Sequence, residues 1–344
     1  MREERQVPLS ELTTLRLGGP TPTLVTIDQP DELVDYLHGQ AQHHVLVMSG
    51  GSNLVVADAG VETPVVRVAT KGVVEERVDT DVELIIAAGE SWDALVLRTV
   101  DEGWSGIESL SGIPGSVGAT PIQNVGAYGQ EVSDVCRSVG VFDRVSGRSY
   151  RMSHAECSFG YRTSVFKHAP ERYVVLDVQL RLTRSTSSQP VGYGELAQAL
   201  STKRGGTAPL HDVRATVLAL RKAKGMVLDR ADHDTWSVGS FFTNPIVASP
   251  DSLPHDAPRW PQPDGRLKTS AAWLIEQAGF TKGFGADVGR GAVRLSTKHT
   301  LALTNRGDGT TEELLTLARV IRDSVRQKFR VELHPEPTLV GVRL

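Results

Sequence analysis

Three glycines at a spacing of three, Gly112, Gly115 and Gly118, punctuate the uncharged stretch SLSGIPGSVGA at 109–119. Glycine takes positive φ at little cost and leaves its N–H uncovered, so such a turn lets a phosphate or a flat ring reach the main chain. A tight connection between strands would use the same residues. A second run, SGGSN (Ser49–Asn53), follows an apolar segment and offers N–H groups for an anion-binding nest. The equally glycine-rich NVGAYGQ begins at 124. Two glycine-rich turns on adjacent lobes can hold the two ends of one extended ligand. Neither a G-x-G-x-x-G after a strand nor a G-x-x-x-x-G-K-[ST] is present, which disfavours a Rossmann site or a P-loop. Cys136 and Cys157 make neither a CxxC pair nor a disulfide framework, and no cluster has metal-ligand spacing, so no metal is expected.

The elements that must position these turns follow from periodicity. Residues 23–28 read as a strand, 31–41 as a helix behind Pro30, and 45–48 as a second strand, a small βαβ unit ending in SGGSN. From about 65 to 183 the pattern shifts to short alternating strands such as ELIIAAG and RYVVLDVQLRL. One helix interrupts them at 91–102, capped by Ser91 and stopped at Gly103. This predicts a second, mostly antiparallel lobe. Beyond the polar TRSTSSQP (183–190), helices are expected at 211–224, at 270–278 behind Thr269, and at 311–328 behind a capping box of Thr310 and Glu313. Strand-like AVRL, LALTN and FRVELH alternate with them. A proline-rich loop at 249–263 is either ordered by packing or mobile.

The chain has 344 residues, enough for two or three domains with real cores. Its 37 basic and 41 acidic residues are balanced and scattered, which argues against nucleic acid as the main partner. No apolar run approaches the ~18 residues that span a bilayer, and MREERQVPLS lacks a secretion signal's apolar core, so a cytoplasmic location is expected.

Six segments occur in order: SGGSN, GIPGSVGATPIQNVGAYGQE, YRTSVFK, VGSFFTNP, AAWLIEQAGFTKG and LHPEPTLVG. Together they resemble the UDP-N-acetylenolpyruvoylglucosamine reductase family nearly end to end. The resemblance implies an α+β protein: a two-lobed FAD-binding fold of the vanillyl-alcohol-oxidase type, followed by an α+β substrate domain. The lobes are expected at 1–69 and 70–184 and the substrate domain at 185–344, its C-terminal tail returning to the active site. The family's chemistry uses NADPH to reduce non-covalently bound FAD, and the reduced flavin then reduces an enolpyruvyl ether on a UDP-sugar. Partners are small molecules, with no nucleic acid, membrane or obligate protein partner.

By that resemblance Arg162 polarises the substrate carboxylate, Ser240 donates the proton to the enolate carbon, and Glu336 completes the constellation. The flavin is assigned to Ser49, Gly50, Gly51, Ser52 and Asn53 on one turn. On the others it is assigned to Gly112, Ile113, Pro114, Gly115, Ser116, Gly118, Ala119, Gln123, Asn124 and Gly126. Tyr128, Tyr193, Lys224, Asn244, Lys268 and Gln277 match substrate positions. Tyr193 corresponds to a tyrosine on a mobile loop that closes over the substrate. As residues alone these admit plainer roles: an ion pair for Arg162, a turn or cap serine, a solvated glutamate. GMVLDRADHDTW, at 225–236, replaces the short proline-bearing linker of the subgroup, which leaves the register of Lys224 open. An FAD oxidase and a non-enzymatic UDP-sugar sensor are the competing readings.

Overall fold

The computed structural model describes residues 1–40, 44–248 and 253–344. The last residue of the helix expected at 31–41 and the first four of the loop expected at 249–263 lie outside the described residues. Two compact units emerge. The first comprises Met1–Arg5, Thr23–Gly50 and Thr63–Lys222, the second Gln6–Pro22, Gly51–Glu62 and Ala223–Leu344.

In the first unit, strands Pro20–Ile27 and Leu46–Met48 run parallel to Val65–Val68 on either side of it, with helix Pro30–Gly39 as the connection between them. The helix turns Leu33 and Leu37 into the core, four residues apart on one face. An antiparallel sheet follows in the order Arg148–Ser153, Cys136–Asp143, Tyr173–Arg184, Asp81–Ala87 and Val73–Val78. In Asp81–Ala87 every second residue (Val82, Leu84, Ile86) is buried, the period-2 signature that made this strand legible. Both sheets share one apolar core with helix Trp92–Asp101. Ser91 occupies the N-cap of that helix without a side-chain bond, and Gly103 at φ +70° follows its end.

The compact units divide at 222/223, not at the polar stretch 183–190. Helices Gly194–Ala199 and Leu210–Ala223 bury Leu196, Val213 and Val217 against Val191, and Tyr128 packs on the same cluster. Burial, which a local change in polarity does not report, therefore keeps 185–222 with the lobe before it.

The second unit packs helix Thr311–Phe329 and helix Ala271–Gln277 on the hairpin Val293–Leu295/Leu303–Asn305. The Thr310/Glu313 capping box is present. Asp58 adds to it by accepting from the backbone N–H of Thr311 (2.7 Å) and Glu312 (3.0 Å). The shorter helix is capped by Ser270, which accepts from Trp273 N, whereas the hydroxyl of Thr269 donates to Pro258 O. The expected strand FRVELH is not one. Phe329 ends the long helix, Arg330 turns left-handed at φ +57°, and Val331 and Leu333 alternate inward without a ladder. The parallel pair Leu54–Val56/Thr338–Val340 ties down the C-terminal end instead.

Candidate active site

In the first unit the glycine turns meet backbone on backbone. A Cβ on Gly50 would stand 2.8 Å from Gly115 Cα, and one on Gly118 2.4 Å from Ala88 Cβ, so side chains are excluded at both contacts. Gly112 (φ +72°) and Gly115 (φ +115°) are left-handed. The 112–116 turn is held from outside. Gly112 N donates to Asp93 Oδ1 (2.6 Å), and Arg214 grips the same carboxylate with two bonds of 2.8 and 2.9 Å. Burial would raise the Asp93 pKa, but the bonds from Arg214 and Gly112 outweigh it and hold the carboxyl below its usual range. Ser49 Oγ donates to Val68 O, fixing the first turn.

One hydroxyl in this cradle lacks a partner. Ser116 Oγ is buried and makes no hydrogen bond among the described residues. Buried hydroxyls are normally satisfied, and a cofactor phosphate or ring oxygen would satisfy this one. The bare glycine backbone beside it leaves the main chain open to approach, so the residues present fit FAD. Ile113, Pro114 and Ala119 line the same turn, half-buried.

The turn at 124–126 carries Arg162's partners. Its guanidinium donates to Gly126 O (2.5 Å) and Asn124 O (3.3 Å), lies 3.6 Å from Glu131 and stacks near Tyr161. The Asn124 side chain is consumed by the protein: it donates to Glu131 and Gly160 O and accepts from Ser133 N. Gln123 is half-buried one residue before it. Asn124, Tyr128 and Arg162 all adopt positive φ (45°, 50° and 53°). Such strain is uncommon in non-glycine residues and concentrates where function fixes the backbone. Tyr128 meets Tyr193 edge to face at 5.4 Å. Burial pushes the Tyr128 phenol up to about 12, against the pull of Arg221, whose own guanidinium burial brings down to about 10. Tyr193 is exposed at the start of helix Gly194–Ala199.

In the second unit, coil segments pair so that Phe241, the residue after Ser240, bonds to Glu336. Glu336 N donates to Phe241 O (2.8 Å) and Thr243 N to His334 O (3.1 Å). Asn53 joins them, its Nδ2 donating to Glu336 O and its carbonyl accepting from Thr338 N. Neighbouring Ser52 accepts through its carbonyl from Thr14, which also donates to Ser237 O, and Gly51 is left-handed. The Ser240 hydroxyl is half-buried and makes no hydrogen bond within the described residues.

Asn244 Oδ1 accepts from Ala271 N, closing the start of a helix, and Lys268 sits in the strand facing Ile246. Gln277 is exposed at that helix's end. Lys224 follows helix Leu210–Ala223 directly and precedes left-handed Gly225. The loop after it is pinned by Asp234, which accepts from Ser296, Thr297 and Arg306, and by a Lys298–Asp232 ion pair. Sequence reasoning did not single out Asp93, Arg214 or Asp234. Nothing local marks a carboxylate whose partner lies 121 residues away, as Arg214 does from Asp93. No group of three or more His, Cys, Asp or Glu that could hold a metal occurs among the described residues. No helix there is long and apolar enough to cross a membrane.

A parallel βαβ lobe and an antiparallel lobe joined through bare glycine turns define a flavoprotein of the FAD-binding class, and residues 22–153 match the FAD binding domain family. Residues 230–340 match the UDP-N-acetylenolpyruvoylglucosamine reductase, C-terminal domain. Reductases of that name are 50% identical in Thermobifida fusca (99% of this chain, 98% of the relative) and 52% identical in Salinispora arenicola (98% and 95%). The crystal structure of the Thermus caldophilus enzyme aligns over 99% of this chain and 100% of its own with a TM-score of 0.67 at 27% identity. The chain belongs to the UDP-N-acetylenolpyruvoylglucosamine reductase family.

Proposed function

We propose that the chain reduces UDP-N-acetylglucosamine enolpyruvate to UDP-N-acetylmuramate with NADPH, through non-covalently held FAD, as a cytoplasmic step of peptidoglycan precursor synthesis requiring no protein partner. The observation that carries this reading is the pairing of the segment that follows Ser240 (Phe241–Thr243) with the Glu336 segment in a member of this family. The turns at 49–53, 112–119 and 123–126 hold the cofactor, with Ser116 Oγ donating to it. The region from 185 onward, with Tyr128, supplies the substrate contacts Tyr193, Lys224, Asn244, Lys268 and Gln277. When bound, FAD would supply hydride-transfer chemistry between NADPH and the terminal enolpyruvyl carbon.

Hydride addition leaves negative charge spread over the neighbouring carbon and the carboxylate. A permanently charged planar fork suits the carboxylate, and Arg162 supplies one oriented by the Gly126 and Asn124 carbonyls. Ser240 delivers the proton to the carbon. A free serine is a weak acid, so its hydroxyl must be uncommitted and fixed in place; it has no competing acceptor, and its chain neighbour Phe241 is bonded to Glu336. Glu336, stiffened by flanking Pro335 and Pro337, completes the constellation.

The test is a visible spectrum of the purified protein followed under anaerobic conditions. Yellow protein should bleach with NADPH and recolour with the enolpyruvyl sugar nucleotide, and acid should release the colour into the supernatant. Colourless protein that takes up no FAD overturns the reading, and recolouring only by oxygen would indicate an oxidase.

A further inference from the structure

Glu108 is buried, 1% exposed, and has no part in the chemistry above. Its carboxylate collects N–H groups from three separate places. Oε2 accepts from Gly106 N (2.6 Å), while Oε1 accepts from Gln130 Nε2 (3.0 Å) and from Gln189 N (2.8 Å). The chain of bonds continues at both ends: Gln130 Oε1 accepts from Ser109 N (2.8 Å), and Gln189 Nε2 donates to Ser105 Oγ (3.0 Å). Only an anion with acceptors on both oxygens satisfies three converging donors, and in a buried setting each such bond is strengthened.

Each attachment point leads to a feature already described. Ser109 opens the glycine turn, Gln130 closes the GAYGQ turn that carries Tyr128, and Gln189 lies four residues before Tyr193. Past Gln189 the segment is fixed again by Val191, which exchanges backbone bonds with Gly205 and Gly206. Tyr193 then stands edge to face on Tyr128. The polar stretch 183–190, which in sequence looks like a free linker, thus ends on a buried carboxylate.

We propose that Glu108 is a positioning residue for substrate binding. It ties the root of the Tyr193 segment to the root of the Tyr128 turn, so that the two tyrosines meet the substrate at a preset spacing. The inference rests on the reading of Tyr128 and Tyr193 as substrate contacts. In Glu108→Gln one acceptor oxygen is replaced by an NH₂ that faces a donor, either Gly106 N or the Gln130 and Gln189 pair, so the three-way grip is broken while the shape is kept.

The experiment is a double-mutant cycle on FAD-loaded protein, with calorimetry giving the dissociation constant of the enolpyruvyl sugar nucleotide. The expected result is a roughly tenfold weakening by Glu108→Gln in the wild-type background and less than twofold in a Tyr193→Ala background, with flavin content unchanged. Equal weakening in both backgrounds, or none in either, overturns the inference. If Glu108→Gln does not load FAD, Gln189→Pro replaces it, because it removes the loop's N–H, together with the side-chain bond to Ser105 Oγ, and leaves Glu108 and Gln130 in place. Ser187 bridges Pro209 and Ser188 N bonds Ala208 O, an extended run compatible with a following proline. The same split is expected there, and additivity with Tyr193→Ala overturns the inference. Flavin-loaded wild type that does not bind the sugar nucleotide rejects the functional reading itself, and this inference with it.

Discussion

The two units hold their candidate residues by different means. In the first, side chains grip backbone: Asp93 holds Gly112 N, Glu108 holds Gly106 and Gln189, and Asn124 holds Ser133 N and Gly160 O. In the second, backbone grips backbone around Ser240, with Glu336 N on Phe241 O, Thr243 N on His334 O and Thr338 N on Asn53 O, the Asn53 side chain adding a bond to Glu336 O, and the Ser240 hydroxyl is left uncommitted. Glycine turns have no side chains of their own to fix them, so their geometry is imported from distant residues. The serine needs an immobile backbone and a hydroxyl with no competing bond, which a ladder of main-chain bonds supplies. Substitutions in the glycine turns of the first unit should therefore disturb cofactor geometry, and substitution of Ser240 in the second should disturb the chemistry alone.

The largest effect expected is at Ser240. Ser240→Ala should keep its FAD and be bleached by NADPH at a near-normal rate, while reoxidation by the enolpyruvyl substrate slows by ~10²-fold or more, about 2.7 kcal/mol of barrier. Ser240→Cys should regain part of the rate because a thiol is the stronger acid. Stopped-flow absorbance separates the two steps, and unchanged reoxidation would reduce Ser240 to a turn residue. The counterpart in the first unit is Gly50→Val, which drives a branched side chain onto Gly115 Cα. It should purify with FAD depleted and its FAD affinity at least ~10-fold weaker, a cost of ~1–3 kcal/mol for overpacking. Full flavin content would show that the turns do not need their contact.

Away from both sites, Thr310→Ala removes two bonds, both to Glu313, from a helix start that Asp58 also holds. Loss of about 1 kcal/mol or less is expected, read as a small fall in Tm without change in flavin content. The smallest effect is the pH dependence of Asp93. Its folded pKa is depressed, so the stability it contributes is present above its unfolded value of about 3.9 and is lost as pH falls through the folded value. Asp93→Asn should therefore melt below wild type at neutral pH, with the gap closing under acid. A gap that persists at low pH would mean that shape, not charge, holds Gly112.

Much of this was legible in the chain itself. The period-2 burial of Asp81–Ala87, the Thr310/Glu313 box and the left-handed glycines at 112 and 115 depend on neighbours a few residues apart, and they formed as the pattern required. The two local misreadings have local causes. Thr269 and Ser270 are both competent caps, and the choice fell to Ser270 because the Thr269 hydroxyl is drawn to Pro258 O. FRVELH alternates like a strand but follows the left-handed Arg330, and its backbone finds isolated partners in place of a ladder.

By itself, then, the sequence determined where the chain turns, which faces are apolar and which residue types stand ready for anion binding and proton transfer, because these rest on spacing and side-chain chemistry. Only the tertiary structure decided what fixes those residues. Arg214 reaches Asp93 across 121 positions, Gln189 reaches Glu108 across 81 and the Glu336 carbonyl reaches Asn53 across 283. A carboxylate or carbonyl takes whichever donors the packed chain brings within hydrogen-bond reach, and the core is assembled from apolar surfaces whose partners no local pattern names.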